Sequence, residues 1–391
     1  MPDGPDAPLA PLLDARPARV GAQGIGRYVR ELVRTLAERG DVSPRLFAPT
    51  RTASAGAKRA VLDVGTGNVR LFAPRLPSKA LTALLGVARV GTERLVGGAD
   101  VVHHTQYRRL PTSRAEVATI HDLVFLDSDR YVGGATARRM SEFVRDAARR
   151  CSVLVTPTEA VANEVATRLD VPRERIVATP LGVDHVHLMP RDAAEISAAR
   201  RDRAARGPFL LTAARVERRK NLAVVLRALE RLGSDAPRWF VAGVDGEGAD
   251  EFDDALRRSP VASLVTRLGH VSEARLRALL EVSSAFVLVP FDEGFGLGPL
   301  EAMALGVPAV TSDVPVVREV CAGGAALVDP RDDEALAGEI ASLVHHEDRA
   351  AEAARAGRAH AAPFRWARTA EATVDAYRLA VRSGPVRLPR R

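Results

Sequence analysis

Glu293 and Glu301 stand eight positions apart in the run Glu293-Gly-Phe-Gly-Leu-Gly-Pro-Leu-Glu301, with glycines at 294, 296 and 298. Glycine lets a backbone turn sharply and approach a ligand closely. An Ala-rich helical stretch follows, and a helix start offers unpaired N–H groups and the positive end of its dipole, which suits a phosphate. The two carboxylates flank this turn and can reach different parts of one ligand. A second run, Ala214-Arg-Val-Glu-Arg-Arg-Lys-Asn221, places Arg215, Arg218, Arg219 and Lys220 directly after a short apolar stretch. Cations fixed at the carboxyl end of a strand suit a diphosphate and the charge it gains on leaving. A third run, Gly24-Ile-Gly26-Arg-Tyr28, opens an amphipathic stretch. Its glycines alone signal only a turn, and the missing third glycine and acidic ribose residue argue against a dinucleotide site. His121 and Asp122 follow the apolar residues 117–120, and His103 and His104 end the preceding apolar run. A histidine at such an edge is either held structurally or turned towards a ligand.

These runs need elements to hold them. Short Val-, Ile- and Leu-rich stretches alternate with longer amphipathic ones, the pattern of parallel sheets covered by helices on both faces, so the class is α/β. Candidate strands fall at 12–14, 45–48, 100–103, 117–121, 152–156 and 175–179. A second series falls at 209–212, 239–242, 264–268, 285–289, 309–311 and 325–328. Tyr28, Val29, Leu32, Val33 and Leu36 form a stripe at helical spacing within a helix expected at 25–38. Two doubly wound, Rossmann-like halves are expected to face each other across a cleft, with ligands at the carboxyl ends of their strands. The first domain is placed at 1–185, a linker at 186–206, the second domain at 207–363, and a helix with a mobile basic tail at 364–391.

The chain has 391 residues, more than one core usually serves, which also favours two domains. Its net charge of +7 invites an anionic partner, but no RNA-binding aromatic signature or zinc spacing accompanies it, so nucleic acid is not expected. The same charge suits a lipid-linked or phosphorylated substrate and peripheral contact with an anionic membrane. Only Cys151 and Cys321 occur, far apart, and the first residues lack a basic start with an apolar stretch after it, so a reducing cytoplasm is expected. Two motifs are set aside. Asp127-Ser-Asp129 reads as a metal-holding DxD but has no supporting ligands, and residues 243–248 form a Gly-rich turn without the Lys-Ser/Thr ending of a P-loop.

The text EGFGLGPLEAMALGVPAV resembles the signature of the family 4 retaining glycosyltransferases, also called group 1, which have the GT-B fold. The resemblance runs from about residue 12 to about residue 330 and is strongest in the second half. It implies that Glu293 contacts the hydroxyls of a donor sugar and Glu301 the ribose of its nucleotide. It further implies that the backbone at Phe295, Gly296 and Leu297 holds the diphosphate. Gly298 departs from the proline often found there. The basic run resembles the family's Arg and Lys pair, which maps to Arg215 and Lys220 and leaves Arg218 and Arg219 on the outside. Gly26 maps to a glycine loop facing the reaction centre, and ATIHDL to a segment whose histidine, His121, points at the donor sugar. His103 and His104 are weaker candidates for the acceptor side, and residues 269–271 for the nucleotide base.

The resemblance implies transfer of a hexose of mannose or glucose type from a nucleotide diphosphate sugar to a small-molecule, glycan or lipid-linked acceptor. It also implies a C-terminal helix that crosses back to the first domain. Charge neutralisation falls to Arg, Lys and the helix dipole, with no metal and no cofactor. A non-catalytic nucleotide-sugar binder and a GT-B glycan phosphorylase are the alternatives.

Overall fold

The computed structural model describes residues 8–18, 24–49, 68–74, 76–127 and 131–386. Residues 1–7, Ser128 and Asp129 of the DxD run, and the last five residues of the basic tail lie outside the described residues. The chain divides into two compact units. The first comprises Met1–Leu126, Ala135–Leu181 and Trp366–Arg391, and the second Asp127–Gly134 and Gly182–Arg365.

The first unit holds a seven-stranded sheet of β1 (Pro11–Asp14), β2 (Arg45–Phe47), β3 (Arg70–Phe72), β4 (Val101–His104), β5 (Ala115–Thr119), β6 (Val153–Thr156) and β7 (Ile176–Ala178). Their spatial order is β3-β2-β1-β4-β5-β6-β7. The second holds a six-stranded sheet of β8 (Phe209–Ala213), β9 (Arg238–Ala242), β10 (Val265–Gly269), β11 (Ala285–Leu288), β12 (Ala309–Ser312) and β13 (Ala326–Val328). Their order is β10-β9-β8-β11-β12-β13. All strand pairs are parallel. Strand order reverses between β1 and β4 in one sheet and between β8 and β11 in the other. These are two doubly wound Rossmann-like units, and such reversals open a crevice at the carboxyl ends of the strands.

The expected strands lie within two residues of the observed ones, with one missed. β3 is three residues long and only partly buried, so it leaves no apolar run to read. The segment 186–206, read as a linker, contains the helix Ala193–Arg206 and counts with the second unit. Asp192 caps that helix by accepting from the amides of Ala194 and Glu195. The stripe Tyr28, Val29, Leu32, Val33 and Leu36 on the helix Ile25–Ala37 is buried as its spacing requires.

One correction concerns β4. His103 and His104, read as candidates for lining the acceptor side, are fully buried. β4 lies between β1 and β5 and is buried on both faces along its whole length, so each imidazole needs internal partners. His103 lies 2.7 Å from both Tyr377 Oη and Thr119 Oγ1, and Tyr28 Oη lies 3.0 Å from the same threonine hydroxyl. His104 Nε2 lies 2.8 Å from Glu116, whose two oxygens also accept from the Arg109 fork at 2.6 and 2.5 Å. Cys151 completes this buried group, its thiol pushed up by burial. With Glu116 already held by Arg109, the group is a closed polar cluster.

Burial, helped by the nearby His104 and His121, holds the His103 pKa at about 3, against 6.5 for an ordinary histidine. The unfolded chain therefore takes up this proton first, and the stability tied to neutral His103 is lost as pH falls below 6.5. The contribution is about 1.4 kcal/mol per pH unit. Urea titrations between pH 6.5 and 5, above the carboxylate range, are expected to show this slope, and His103→Gln is expected to flatten it. An equally steep slope in the variant would assign the acid sensitivity elsewhere.

Candidate functional site

In the second unit β8 and β11 are neighbours, with Leu210 and Leu211 opposite Ala285 and Phe286. The loops leaving their carboxyl ends therefore lie side by side, although more than 70 residues separate them in sequence. After β8 the chain forms a 3-10 turn at Arg218–Lys220, and Asn221 adopts a left-handed conformation (φ 52°) at the start of the helix Leu222–Leu232. After β11 it runs through Phe291 and Glu293 to Gly296, which caps the helix Leu297–Ala304 at φ 94°. That angle strains any L side chain. Gly298 has a packing reason, since a Cβ there would lie 3.0 Å from the Phe286 ring. The glycine that departs from the family pattern thus brings the helix close to β11.

The two loops are stitched together. The buried Asn221 side chain donates from Nδ2 to Val289 O at 3.0 Å and Pro330 O at 2.7 Å. The Phe291 amide donates to Arg219 O at 2.9 Å, and Arg219 Nη1 donates to Asp292 O at 3.1 Å. On this frame Glu293 accepts from Lys220 Nζ and lies 3.4 Å from Arg219 Nη1. Burial alone would raise the Glu293 pKa. The charges of Lys220 and Arg219, with hydrogen bonds from Lys220 and the Gly294 amide, outweigh it and hold the carboxyl below its usual range. Two cations and one carboxylate thus stand at the switch point, beside a helix N-terminus.

Within the basic run, the structure corrects the placing of Arg219 on the outside. Arg219, expected outside, is only 16% exposed and pairs with Glu293, whereas the Arg215 side chain is 61% exposed. Arg215 donates to Asp245 O at 3.1 Å. A 3-10 turn rotates about 120° per residue. Arg218 is therefore carried to Glu247 and Glu251, while Arg219 and Lys220 come round to Glu293. Glu301 is the fifth residue of the helix Leu297–Ala304 and is buried. Its Oε1 lies 2.9 Å from His185 Nε2. Nothing in the sequence singled out His185, which comes 116 positions earlier. Phe295 is buried with its ring 6.2 Å from that of Phe364, whose carbonyl accepts from the Val183 amide. Residues 243–248 join β9 to the helix Ala249–Arg258 as a strand-to-helix turn. Gly269 ends β10 with φ 64°.

In the first unit, Gly26 is the second residue of the helix Ile25–Ala37, within the turn whose amides have no intrahelical acceptor. The Tyr28 amide makes the first helical bond, to Gly24 O. His121 lies beyond the end of β5 and donates from Nε2 to Thr105 O at 3.0 Å. A carbonyl only accepts, so the neutral ring presents Nδ1 as an acceptor. Burial lowers its pKa against the opposing pull of the Thr105 carbonyl and Asp122, so His121 is neutral at pH 7. The Tyr28 and Tyr107 rings meet it edge-on at 5.1 and 6.1 Å.

Two family descriptions fit this chain. "Glycosyltransferase Family 4" matches residues 22–187, and "Glycosyl transferases group 1" matches residues 195–360. Solved structures share the fold. Sucrose-phosphate synthase from Thermosynechococcus elongatus superposes with a TM-score of 0.70 at 19% identity, over 95% of this chain and 98% of that one. Anabaena Alr3699/HepE, solved in complex with UDP and glucose, gives a TM-score of 0.70 at 17% identity, over 94% and 98%. The fold is GT-B. The chain belongs to the family 4, group 1 glycosyltransferases. In sequence it is similar to O-antigen chain mannosyltransferase B of Escherichia coli, 26% identical over 93% of this chain and 98% of that protein. It is also similar to D-inositol 3-phosphate glycosyltransferase of Xylanimonas cellulosilytica, 27% identical over 95% of each.

Asn221 holds the two loops in register. Asn221→Gly keeps the left-handed backbone but strands two buried carbonyls, at a cost of about 2 kcal/mol. Asn221→Ala adds left-handed strain of about 1 kcal/mol. Urea unfolding is expected to rank the variants in that order, and equal stability of wild type and Asn221→Gly would show that the stitching contributes nothing.

Proposed function

We propose that this protein transfers a hexose, of mannose or glucose type, from a nucleoside diphosphate sugar to an acceptor hydroxyl with retention of anomeric configuration and without a metal. The observation that carries this reading is the Lys220–Glu293–Arg219 cluster at the β8/β11 switch point, beside the N-terminus of the helix Leu297–Ala304. Breaking the bond from the anomeric carbon to the phosphate oxygen leaves its electron pair on the diphosphate. Lys220, Arg219 and the amides at Phe295, Gly296 and Leu297 would stabilise that charge, each donor by a few kcal/mol in a dry site. Arg215, at the rim, is assigned to the diphosphate from outside.

Glu293 is assigned to the sugar hydroxyls. Its carboxylate neutralises the cations that the diphosphate would claim, so donor binding would free its oxygens to accept from the sugar. Glu301, braced by His185, is assigned to the ribose. His121 is proposed to act in transfer as a neutral acceptor through Nδ1, and Gly26 to offer its amide to phosphate or acceptor. The acceptor oxygen attacks the face from which the nucleotide leaves, and its proton passes to the departing phosphate. The sugar type is supported by the mannosyltransferase named among the relatives and by the UDP and glucose in the Anabaena structure. The basic balance of the chain supports a lipid-linked or phosphorylated acceptor.

Incubation with GDP-mannose, UDP-glucose and UDP-N-acetylglucosamine, followed by nucleoside diphosphate release in the presence of EDTA, is expected to show turnover with one donor. Binding without release would point to a non-catalytic binder, and phosphate-dependent cleavage of a glycan to a phosphorylase. Glu293→Gln is expected to lower kcat about a hundredfold with nucleoside diphosphate affinity unchanged or tighter, because Lys220 and Arg219 lose an internal competitor. Glu301→Gln is expected to weaken the nucleotide. Equal loss of nucleotide affinity in both variants would overturn this division of roles.

A further inference from the structure

The helix Ser78–Val87 in the first unit breaks the usual pattern of a surface helix. On its inner side Leu85 is buried and Leu81 packs on the core of Leu12, Phe47, Val96, Ala99, Val102 and Leu110. Its outer side is apolar as well. Ala80, Ala83, Leu84 and Val87 recur at i, i+3, i+4 and i+7, and all four are exposed. Leu84 is 65% and Val87 85% exposed, and Leu76, just before the helix, is 48% exposed. A helix that is hydrophobic all round needs cover on both sides.

The charge around this face has one sign. No Asp or Glu occurs from Asn68 to Thr92, where Arg70, Arg75, Lys79 and Arg89 lie. The next acid, Glu93, is buried and accepts from the Ser113 hydroxyl at 2.8 Å. Past the helix C-terminus opens a cavity of about 410 Å³ lined by Leu85, Arg89, Arg94, Pro111, Thr112 and Ser113, with Arg109 at its edge committed to Glu116. Arg89 and Arg94 have no acidic partner among the described residues. The partial negative charge of a helix C-terminus, about half a unit, offsets only part of two cations.

We propose that this face docks on an anionic lipid bilayer, with Leu76, Leu84 and Val87 in the interface and a lipid phosphate in the Arg89–Arg94 cavity. An apolar stripe bordered by Lys and Arg is the form of a helix that lies in the membrane interface plane. A second copy of the chain fits less well: pairing this face with itself would bring Lys79, Arg89 and Arg94 against their like, with no exposed acid nearby in sequence to oppose them. The docking does not depend on the identity of donor or acceptor.

Co-sedimentation of the full chain with vesicles of equal phosphatidylglycerol and phosphatidylcholine, against vesicles of phosphatidylcholine alone, tests the proposal. Partition is expected to favour the anionic vesicles by at least about tenfold. The double variant Leu84→Glu/Val87→Glu is expected to lose about tenfold, and Arg89→Ala and Arg94→Ala about fivefold each. Thermal unfolding of these exposed-site variants is expected to match wild type, which separates lost docking from lost folding. Equal partition to both vesicles, or undiminished binding by the Glu variants, overturns the proposal. So does displacement by millimolar inorganic phosphate, which would mark the cavity as a site for the free anion. Sedimentation equilibrium adds one more outcome: a wild-type dimer that the Glu variants dissociate would make this face a contact between copies.

Discussion

The hydrogen bonding of β8 to β11 is the constraint on which the site depends. In a doubly wound sheet these two strands carry their following helices to opposite faces, so the loops above them diverge and leave a crevice. No other strand pair among the described residues of the second unit offers that opening. The pairing of Leu210 with Ala285 and Leu211 with Phe286 therefore decides that the basic run after β8 meets the acidic turn after β11. Asn221 fixes the meeting more finely, because its amide binds the last carbonyls of the β11 edge and of the loop after β13. Topology supplies the neighbourhood, and one buried side chain supplies the register.

Burial then sets the chemistry. A carboxylate withdrawn from water would protonate unless fixed charge opposes that cost, and Lys220 and Arg219 oppose it at Glu293. Breaking one member of such a cluster leaves an uncompensated charge and costs about 3–5 kcal/mol, so the cluster is stable only while closed or while a ligand replaces a member. The same three residues thereby satisfy one another's charge at the switch point.

The strands were legible in the sequence because strands of parallel sheets, buried on both faces, read as continuous apolar runs, as at 285–289. β3 escaped because three partly exposed residues beginning with Arg70 make no such run. The Gly-rich turn and the basic run were legible as chemistry, and their resemblance to a family gave them roles. Which arginine of the turn Arg218–Lys220 faces Glu293 was not legible, because rotation over one short turn decides that Arg218 points to Glu251 and Arg219 to Glu293. The His185 to Glu301 contact was illegible for another reason, since it is made by folding across 116 positions. His103 and His104 misled because a histidine at a strand end reads alike whether the strand is central or at an edge.

The first unit has a similar dependence on a distant piece of chain. Its sheet is complete by Leu181, yet the unit also includes the chain from Trp366 onward. The reason lies in the buried polar groups of β4 and β5. His103 at the centre of the sheet has one nitrogen on Thr119 and the other on Tyr377 Oη, and Tyr377 comes from the C-terminal helix Trp366–Ser383. The same helix sends Thr369 Oγ1 to Pro180 O at 2.6 Å and sets the Trp366 ring beside Tyr28. Without it, an imidazole in a dry sheet would lose a partner, and an unmade buried hydrogen bond costs about 1–3 kcal/mol. Apolar cover would be lost with it. The choice of histidine in β4 thus commits the first unit to waiting for the end of the chain, so its polar core closes only after the whole second unit has been translated.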